Sequence, residues 1–142
     1  MNHDNYESDY IRSILRDVKT IELVGASANP ARPSYGVMNY LLSKGYNVIP
    51  VNPGLAGQEL LGQTVYATLS DIPVSVDMID VFRTSDAVLS LVIEALALPQ
   101  KPKVIWMQLG VSNDEATQLA EAEGLRVVVN RCPKIEYEIL IG

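Results

Sequence analysis

The stretch that decides the fold is TIELVGASANPARPSYG, residues 20–36. Its first five residues are mostly apolar and include β-branched side chains, which is typical of a buried strand. Gly25 then opens a run of small residues and prolines that interrupts this pattern. In the following segment, 34–44, Val37 and Leu41 recur at helical spacing. The stretch therefore predicts a strand, a tight turn and a helix, the unit from which parallel sheets are built.

The same alternation continues on both sides of this stretch. Further helices are predicted over residues 10–18, after Ser85, after Asn113 and at the end of the chain. Apolar runs predict four more strands, at 46–51, 77–82, 104–109 and 125–129. Only residues 55–73 fit neither pattern, with Val65 and Tyr66 as a short extended piece. The sequence thus predicts an α/β fold, a Rossmann-like doubly wound parallel sheet of about five strands with helices on both faces.

Length and composition favour one domain over residues 1–142, with residues 1–18 as an N-terminal helical extension. A net charge of −6 excludes a generally basic surface for nucleic acid. Residues 1–10 lack the charged and apolar regions of a signal peptide, and the longest apolar stretch, 87–98, is too short to span a bilayer. We therefore expect a cytoplasmic protein that binds neither nucleic acid nor membranes.

The histidine and cysteine counts argue against a histidine-dependent catalytic triad and a Cys/His metal site. The single histidine, His3, lies in a polar terminus that we expect to be loose, so no Ser-His-Asp triad is predicted. One histidine and one cysteine cannot form a Cys/His zinc site, and no metal site is predicted. Asp77 and Asp80 flank the third strand and are expected to be solvated, without a catalytic role.

The turn after the first strand has the composition of a phosphate-binding loop. Gly25 and its small neighbours let the backbone approach a phosphate, Ser27 adds a hydroxyl and Arg32 a positive charge. The turn is not the dinucleotide fingerprint, because Ser27 and Pro30 occupy the second and third glycine positions. Asn52 stands where a nicotinamide site has its acidic residue. Both departures argue against an NAD(P)-dependent oxidoreductase with a degenerate glycine loop, which is kept as an alternative.

In such sheets the ligand lies outside the carboxyl ends of the strands. The chain places polar or small residues after each predicted strand, and Arg32, Arg83 and Arg131 fall on this edge. Arginine offers a fork of donors that fits phosphate.

Four motifs in order carry a resemblance to a known family: VGASANP at 24–30, VIPVNPG at 48–54, DVFR at 80–83, and WMQLGV at 106–111 paired with VNRCP at 129–133. With them the chain resembles the stand-alone CoA-binding proteins, which are similar to the CoA-binding domain of the succinyl-CoA synthetase α-subunit and of ADP-forming acyl-CoA synthetases. The resemblance runs from about residue 11 to residue 137.

This resemblance implies a module that binds coenzyme A or an acyl-CoA as a carrier, sensor or regulator. No counterpart of the synthetases' ligase domain and phosphohistidine is expected in this chain, so no catalytic residue is predicted. A homodimer or a larger enzyme is a possible partner, and an interaction protein with a vacant pocket is a further alternative. The implied CoA-binding residues are Gly25, Ala26, Ser27, Ala28, Arg32, Ser34, Asn52, Pro53, Gly54, Phe82, Arg83, Ser85, Gln108 and Gly110.

Cys132 follows the last predicted strand and allows two interpretations. It is either a small buried residue before Pro133 or a thiol that meets the CoA sulfur and forms a mixed disulfide under oxidation.

Overall fold

Helices and strands alternate along nearly the whole chain in the computed structural model, which describes residues 1–142. The helices are α1 Ser8–Asp17, α2 Pro33–Ser43, α3 Val88–Leu96, α4 Asp114–Ala122 and α5 Pro133–Leu140. The strands are β1 Thr20–Val24, β2 Asn47–Val51, β3 Glu59–Leu60, β4 Gln63–Thr64, β5 Met78–Val81, β6 Val104–Met107 and β7 Arg126–Val128. Short 3₁₀ turns cover Pro53–Leu55, Leu69–Asp71 and Ser85–Ala87.

Five of the strands form one parallel sheet in the order β2-β1-β5-β6-β7. The chain therefore reverses its winding direction between β1 and β5, and the turns that follow these two strands meet at the carboxyl edge. All five strands lie within the predicted runs, and the predicted Rossmann-like fold is confirmed. Strand β1 has the predicted bounds, and the other four are shorter than predicted. Strand β6, for example, ends at Met107 because the backbone turns at Gln108, whose carbonyl accepts from the N–H of Val111 at 2.8 Å.

Helices cover both faces of the sheet. On the first face, α1, α2 and α5 pack over a core of 19 buried residues that includes Ile14, Met38 and Trp106. On the second face, α3 and α4 pack over 15 buried residues that include Val92 and Ala120. The two cores differ in size because three helices cover the first face and two cover the second.

The connection from β2 to β5 contains no α-helix. It holds an antiparallel hairpin of β3 and β4, whose turn residues Leu61 and Gly62 both have positive φ, at 50° and 80°. Two positive φ angles are the signature of a type I′ hairpin turn. The hairpin was not predicted, because its strands are only two residues long. The predicted extended piece is confirmed in part, since Tyr66 forms a parallel bridge with Val51.

Two sequence expectations about single residues are wrong. His3 is not in a loose tail: its Nδ1 lies 2.6 Å from the Tyr6 hydroxyl and its Nε2 lies 3.2 Å from Glu121 Oε1. Asp80 is not solvated but fully buried in the central strand β5. Asp77, at the amino end of that strand, accepts hydrogen bonds from the backbone N–H groups of Lys19 and Thr20 at 2.8 and 3.0 Å. None of the helices combines the length and apolarity needed to cross a membrane.

Candidate functional site

The turn after β1 depends on a glycine for two reasons. Gly25 has a φ of 93°, a conformation that side chains with a Cβ rarely adopt. A Cβ there would also lie only 2.9 Å from the carbonyl carbon of Phe82, and closer still to its oxygen. The N–H groups of Gly25 and Ala26 donate to the carbonyl of Val51 at 3.1 and 3.3 Å. Gly25 therefore lets the turns after β1 and β5 come into contact.

The loop from this turn to α2 is held by its own side chains. Ser27 Oγ accepts from the N–H of Asn29 at 3.1 Å, and Asn29 Oδ1 accepts from the N–H of Ala31 at 3.0 Å. No side chain caps the start of α2, where Arg32 is the flanking residue and Pro33 the first helical residue. The positive end of the α2 dipole is therefore directed at the loop, an arrangement that suits an anion.

Asn52 joins the turn after β2 to the turn after β1. Its Nδ2 donates to the carbonyl of Ala26 at 2.7 Å, and its Oδ1 accepts from the N–H of Gly54 at 2.8 Å. Both ends of the amide are therefore used within the protein. Asn52 shapes the cleft rather than presenting a free amide to a ligand.

A cavity of about 590 Å³, which we call the glycine-loop cavity, opens between these turns. Arg32 is its only charged residue and forms no salt bridge. An unpaired arginine beside an uncapped helix start gives this cavity a positive potential within an acidic protein. Its lining residues are Gly25, Ala26, Ser27, Ala28, Asn29, Arg32, Pro33, Ser34, Asn52, Gly54, Leu55 and Phe82.

A second cavity of about 520 Å³, the Arg83 cavity, adjoins the first on the second face of the sheet. The two share Gly25, Asn52 and Gly54, so they form one cleft across the carboxyl edge. Arg83 and Glu94 are its charged residues, and Arg83 forms no salt bridge. The remaining lining residues are Val24, Val51, Pro53, Ala67, Thr68, Leu69 and Leu91.

The structure thus brings eleven of the fourteen predicted residues together in this cleft, whereas Ser85, Gln108 and Gly110 lie outside its lining. Ser85 Oγ accepts from the N–H of Ser112 at 3.0 Å, and the N–H of Gly110 donates to Asn130 Oδ1 at 2.7 Å. Gln108 is buried, and its Oε1 has no hydrogen-bond partner. Ser85 and Gly110 connect loops to one another at the far side of the same edge.

Arg131 does not reach the cleft. Its guanidinium lies 5.1 Å from the centre of the Tyr6 ring, 3.7 Å from Glu136 Oε1 and 3.1 Å from the carbonyl of Asp4. The expectation that it joins Arg32 and Arg83 at a ligand is therefore wrong. Its cationic side chain holds the N-terminal segment against the start of α5 instead.

Cys132 is buried in the first-face core, where it flanks the start of α5. This burial favours the packing interpretation over the reactive one, and its reaction with a CoA thiol stays a prediction.

Sequence reasoning missed Thr68, Leu69, Leu91 and Glu94 in the lining of the cleft. It also missed the burial of two strand carboxyls, Glu22 and Asp80. Leu91 and Glu94 lie on one side of α3, and their spacing of three was the available signal. Thr68 and Leu69 lie in the irregular connection, where no periodic pattern could locate them. Burial raises the pKa of Asp80 well above its usual range, because it disfavours the charged form of the carboxyl.

The fold and the cleft define a Rossmann-like domain with a candidate phosphate site at its switch point. Residues 19–138 match the family described as CoA binding domain. The chain belongs to that family.

Two relatives match nearly the whole chain. The uncharacterized protein YneT of Bacillus subtilis is 33% identical over 129 residues, which is 91% of this chain and 93% of YneT. The structure of a hypothetical protein from Pyrococcus horikoshii OT3 is 40% identical and superposes with a TM-score of 0.90, covering 98% of this chain and 95% of that one. The fold of this chain therefore recurs in proteins of about the same length.

The same fold also occurs within a larger enzyme. The dinucleotide forming acetyl-coenzyme A synthetase 1 of Ca. Korarchaeum cryptofilum, in complex with phosphate and ADP, is 27% identical with a TM-score of 0.64. The match covers 85% of this chain but only 27% of the synthetase.

Proposed function

We propose that this protein binds coenzyme A or an acyl-CoA in the cleft formed by the glycine-loop cavity and the Arg83 cavity, as a non-catalytic carrier, sensor or regulator. The observation that carries this proposal is the pair of arginines without salt-bridge partners, Arg32 and Arg83, on the two sides of the Gly25 turn. Membership of the CoA-binding domain family supplies the ligand class.

The residues present fit the charged part of such a ligand. Gly25, Ala26 and Ser27 line the glycine-loop cavity with small or no side chains, so a phosphate there would reach the backbone. Arg32 and the uncapped start of α2 would hold the pyrophosphate, since both supply positive potential to the same cavity. Arg83 would hold the separate 3′-phosphate from the other side of the turn.

Thermal-shift titration tests this proposal, because a ligand that binds only the folded state stabilises it. The expected gain is about 2.7 kcal/mol at a ligand concentration one hundred times the Kd. CoA and acetyl-CoA should raise the Tm, and NAD⁺ and NADP⁺ should not. A shift with NAD(P)⁺ alone, or no shift with any CoA compound at millimolar concentration, would overturn the proposal.

Arginine variants test which arginine binds the pyrophosphate and which binds the 3′-phosphate of CoA. Arg32→Gln should weaken CoA and 3′-dephospho-CoA about equally, by roughly tenfold or more, because both compounds carry the pyrophosphate. Arg83→Gln should weaken CoA and leave 3′-dephospho-CoA nearly unchanged. Arg16→Gln is the matched control, since Arg16 is exposed on α1 and lines neither cavity. Equal binding of CoA by all three variants would show that neither Arg32 nor Arg83 contacts the ligand.

A further inference from the structure

A third cavity, of about 490 Å³, lies on the second face toward the amino ends of β5 and β6. One wall is the segment 72–76 that leads into β5, and the other is the segment 98–102 that leads into β6. Pro73, Pro99 and Pro102 are among its residues, so its walls are conformationally restricted. We call it the proline cavity. Leu69 separates it from the Arg83 cavity, because this side chain contributes to the lining of both.

The polar group of the proline cavity is the carboxyl of Glu22. Glu22 is the middle residue of β1 and is only 1% exposed. Its strand neighbours Ile49 and Ile79 are apolar, and its Oε2 is buried without any hydrogen-bond partner. Buried polar atoms are nearly always paired in folded proteins. An unpaired carboxyl oxygen at the wall of a preformed cavity therefore indicates that a ligand supplies its missing partner.

The charges around Glu22 indicate which charge a ligand of this cavity would carry. No basic residue is among those that line the cavity, because Lys101 of the second wall pairs with Glu123 at 3.3 Å. The other polar lining residues are Ser70, Ser75 and Gln100. Glu94, on α3, is the charged group that acts on Glu22, and it raises the pKa of that carboxyl further. An acidic group without a basic neighbour in the cavity lining favours a positively charged ligand over a neutral or negative one.

The apolar walls of the cavity further restrict the size and polarity of the ligand. Ile72, Val74 and Leu98 contribute apolar surface, and Val74 is half exposed at the rim. Ser75 Oγ donates to Gln100 Oε1 and so joins the two walls. A compact apolar body can therefore enter between the walls with its charged end directed at β1.

We infer that the proline cavity binds a small organic amine, whose ammonium pairs with the Glu22 carboxylate and whose apolar body lies between the proline-containing walls. This site is separate from the proposed CoA cleft and does not depend on it. Binding transfers the Glu22 proton to solvent, so one protein proton is released for each amine bound below the pH at which the free carboxyl ionises.

NMR spectroscopy with benzylamine as the probe tests this inference, and benzyl alcohol is its uncharged counterpart of the same shape. Benzylamine at millimolar concentration should shift the backbone amides of Val74, Ser75 and Leu98 and lower the pKa of Glu22, read from its side-chain carboxyl ¹³C signal. Its affinity should rise about tenfold per pH unit between about pH 6 and pH 8, because burial raises the pKa of free Glu22 to about 8.

Glu22→Gln should weaken benzylamine binding at least tenfold, and Glu94→Gln only about twofold. Glu115→Gln, an exposed change on α4, is the matched control and should leave binding unchanged. Equal binding of benzyl alcohol, an unmoved Glu22 titration, or shifts confined to the Gly25 turn would each overturn the inference. Because the Glu22 titration is followed in the wild-type protein, the test remains decisive even if Glu22→Gln does not fold. CoA binding is measured separately, so failure of one proposal leaves the other standing.

Discussion

The two faces of the sheet differ in how completely helices cover them. The first face has three helices, and the glycine-loop cavity opens only at its carboxyl end. On the second face an irregular connection, residues 52–77, replaces a helix beside β1 and β2, and two cavities lie there. A helix presents a continuous apolar stripe to a sheet, whereas a turn-rich segment does not. The missing helix therefore opens space for ligands without loss of the parallel sheet.

The faces also each bury one acidic side chain in a strand. Asp80 projects to the first face, in register with Leu23 and Trp106, and Glu22 projects to the second, in register with Ile79. Burial raises the pKa of both carboxyls. Asp80 does not line any of the three cavities described above, whereas Glu22 lines one. One carboxyl is therefore enclosed by the fold, and the other borders a cavity.

The largest expected effect is a decrease of stability with pH. Glu22 has a pKa of about 8 in the folded protein and 4.5 as its ordinary value, so the folded state retains a proton that the unfolded state releases between these pH values. The stabilisation is fully present below about pH 4.5 and is lost as pH rises through 8. The Glu22 proton alone should make the free energy of unfolding fall by up to about 1.4 kcal/mol per pH unit in this window.

Urea unfolding at several pH values measures this slope, and two isosteric variants divide it between the faces. Glu22→Gln should remove the contribution of the second face, and Asp80→Asn that of the first. A slope that is unchanged in both variants would mean that neither carboxyl is protonated in the folded protein.

A matched pair of leucine truncations compares the packing of the faces. Leu41→Ala, in α2 on the first face, should destabilise by about 4 kcal/mol, because Leu41 is fully enclosed. Leu69→Ala, on the second face, should cost only about 2 kcal/mol, because Leu69 already borders two cavities that water can enter. Chemical denaturation of both variants tests this difference. Equal losses would show that the second face is packed as tightly as the first.

A pair of glycine substitutions tests the carboxyl edge, where the cavities of the two faces meet. Gly25→Ala should destabilise by about 3 kcal/mol and abolish CoA binding, since it combines a positive φ with a collision against the Phe82 backbone. Gly45 has nearly the same φ, 94°, but open space around it. Gly45→Ala should therefore cost only about 1 kcal/mol and leave ligand binding unchanged. Similar losses in the two variants would show that the approach of Phe82 is unimportant.

Much of this molecule could be predicted because local rules determine it. Apolar runs located all five strands of the parallel sheet, and Asn113 caps α4 as its residue type favours, with Oδ1 accepting from the N–H of Ala116 at 2.9 Å. The turn after β1 was predicted from Gly25 and the residues beside it. Residues near Gly25 and Asn52 line the cleft because parallel strands bring their carboxyl ends to one edge.

The rest could not be predicted because it depends on contacts between distant segments. Arg131 follows a strand, as Arg32 does. Its guanidinium nevertheless donates a hydrogen bond to the carbonyl of Asp4, 127 positions away in the sequence. Thr68, Leu69 and Glu94 line the cleft only because α3 packs beside an irregular connection.

The sequence by itself determined the alternation of strands and helices and the glycine turn after β1. These features follow from side-chain periodicity and from the backbone freedom of one residue type, both of which act within a few residues. Only the tertiary structure decided that Glu22 and Asp80 are buried, and that Glu22 but not Asp80 borders a cavity. The cost of burying a charge depends on every segment packed around it, and those segments come from distant parts of the chain.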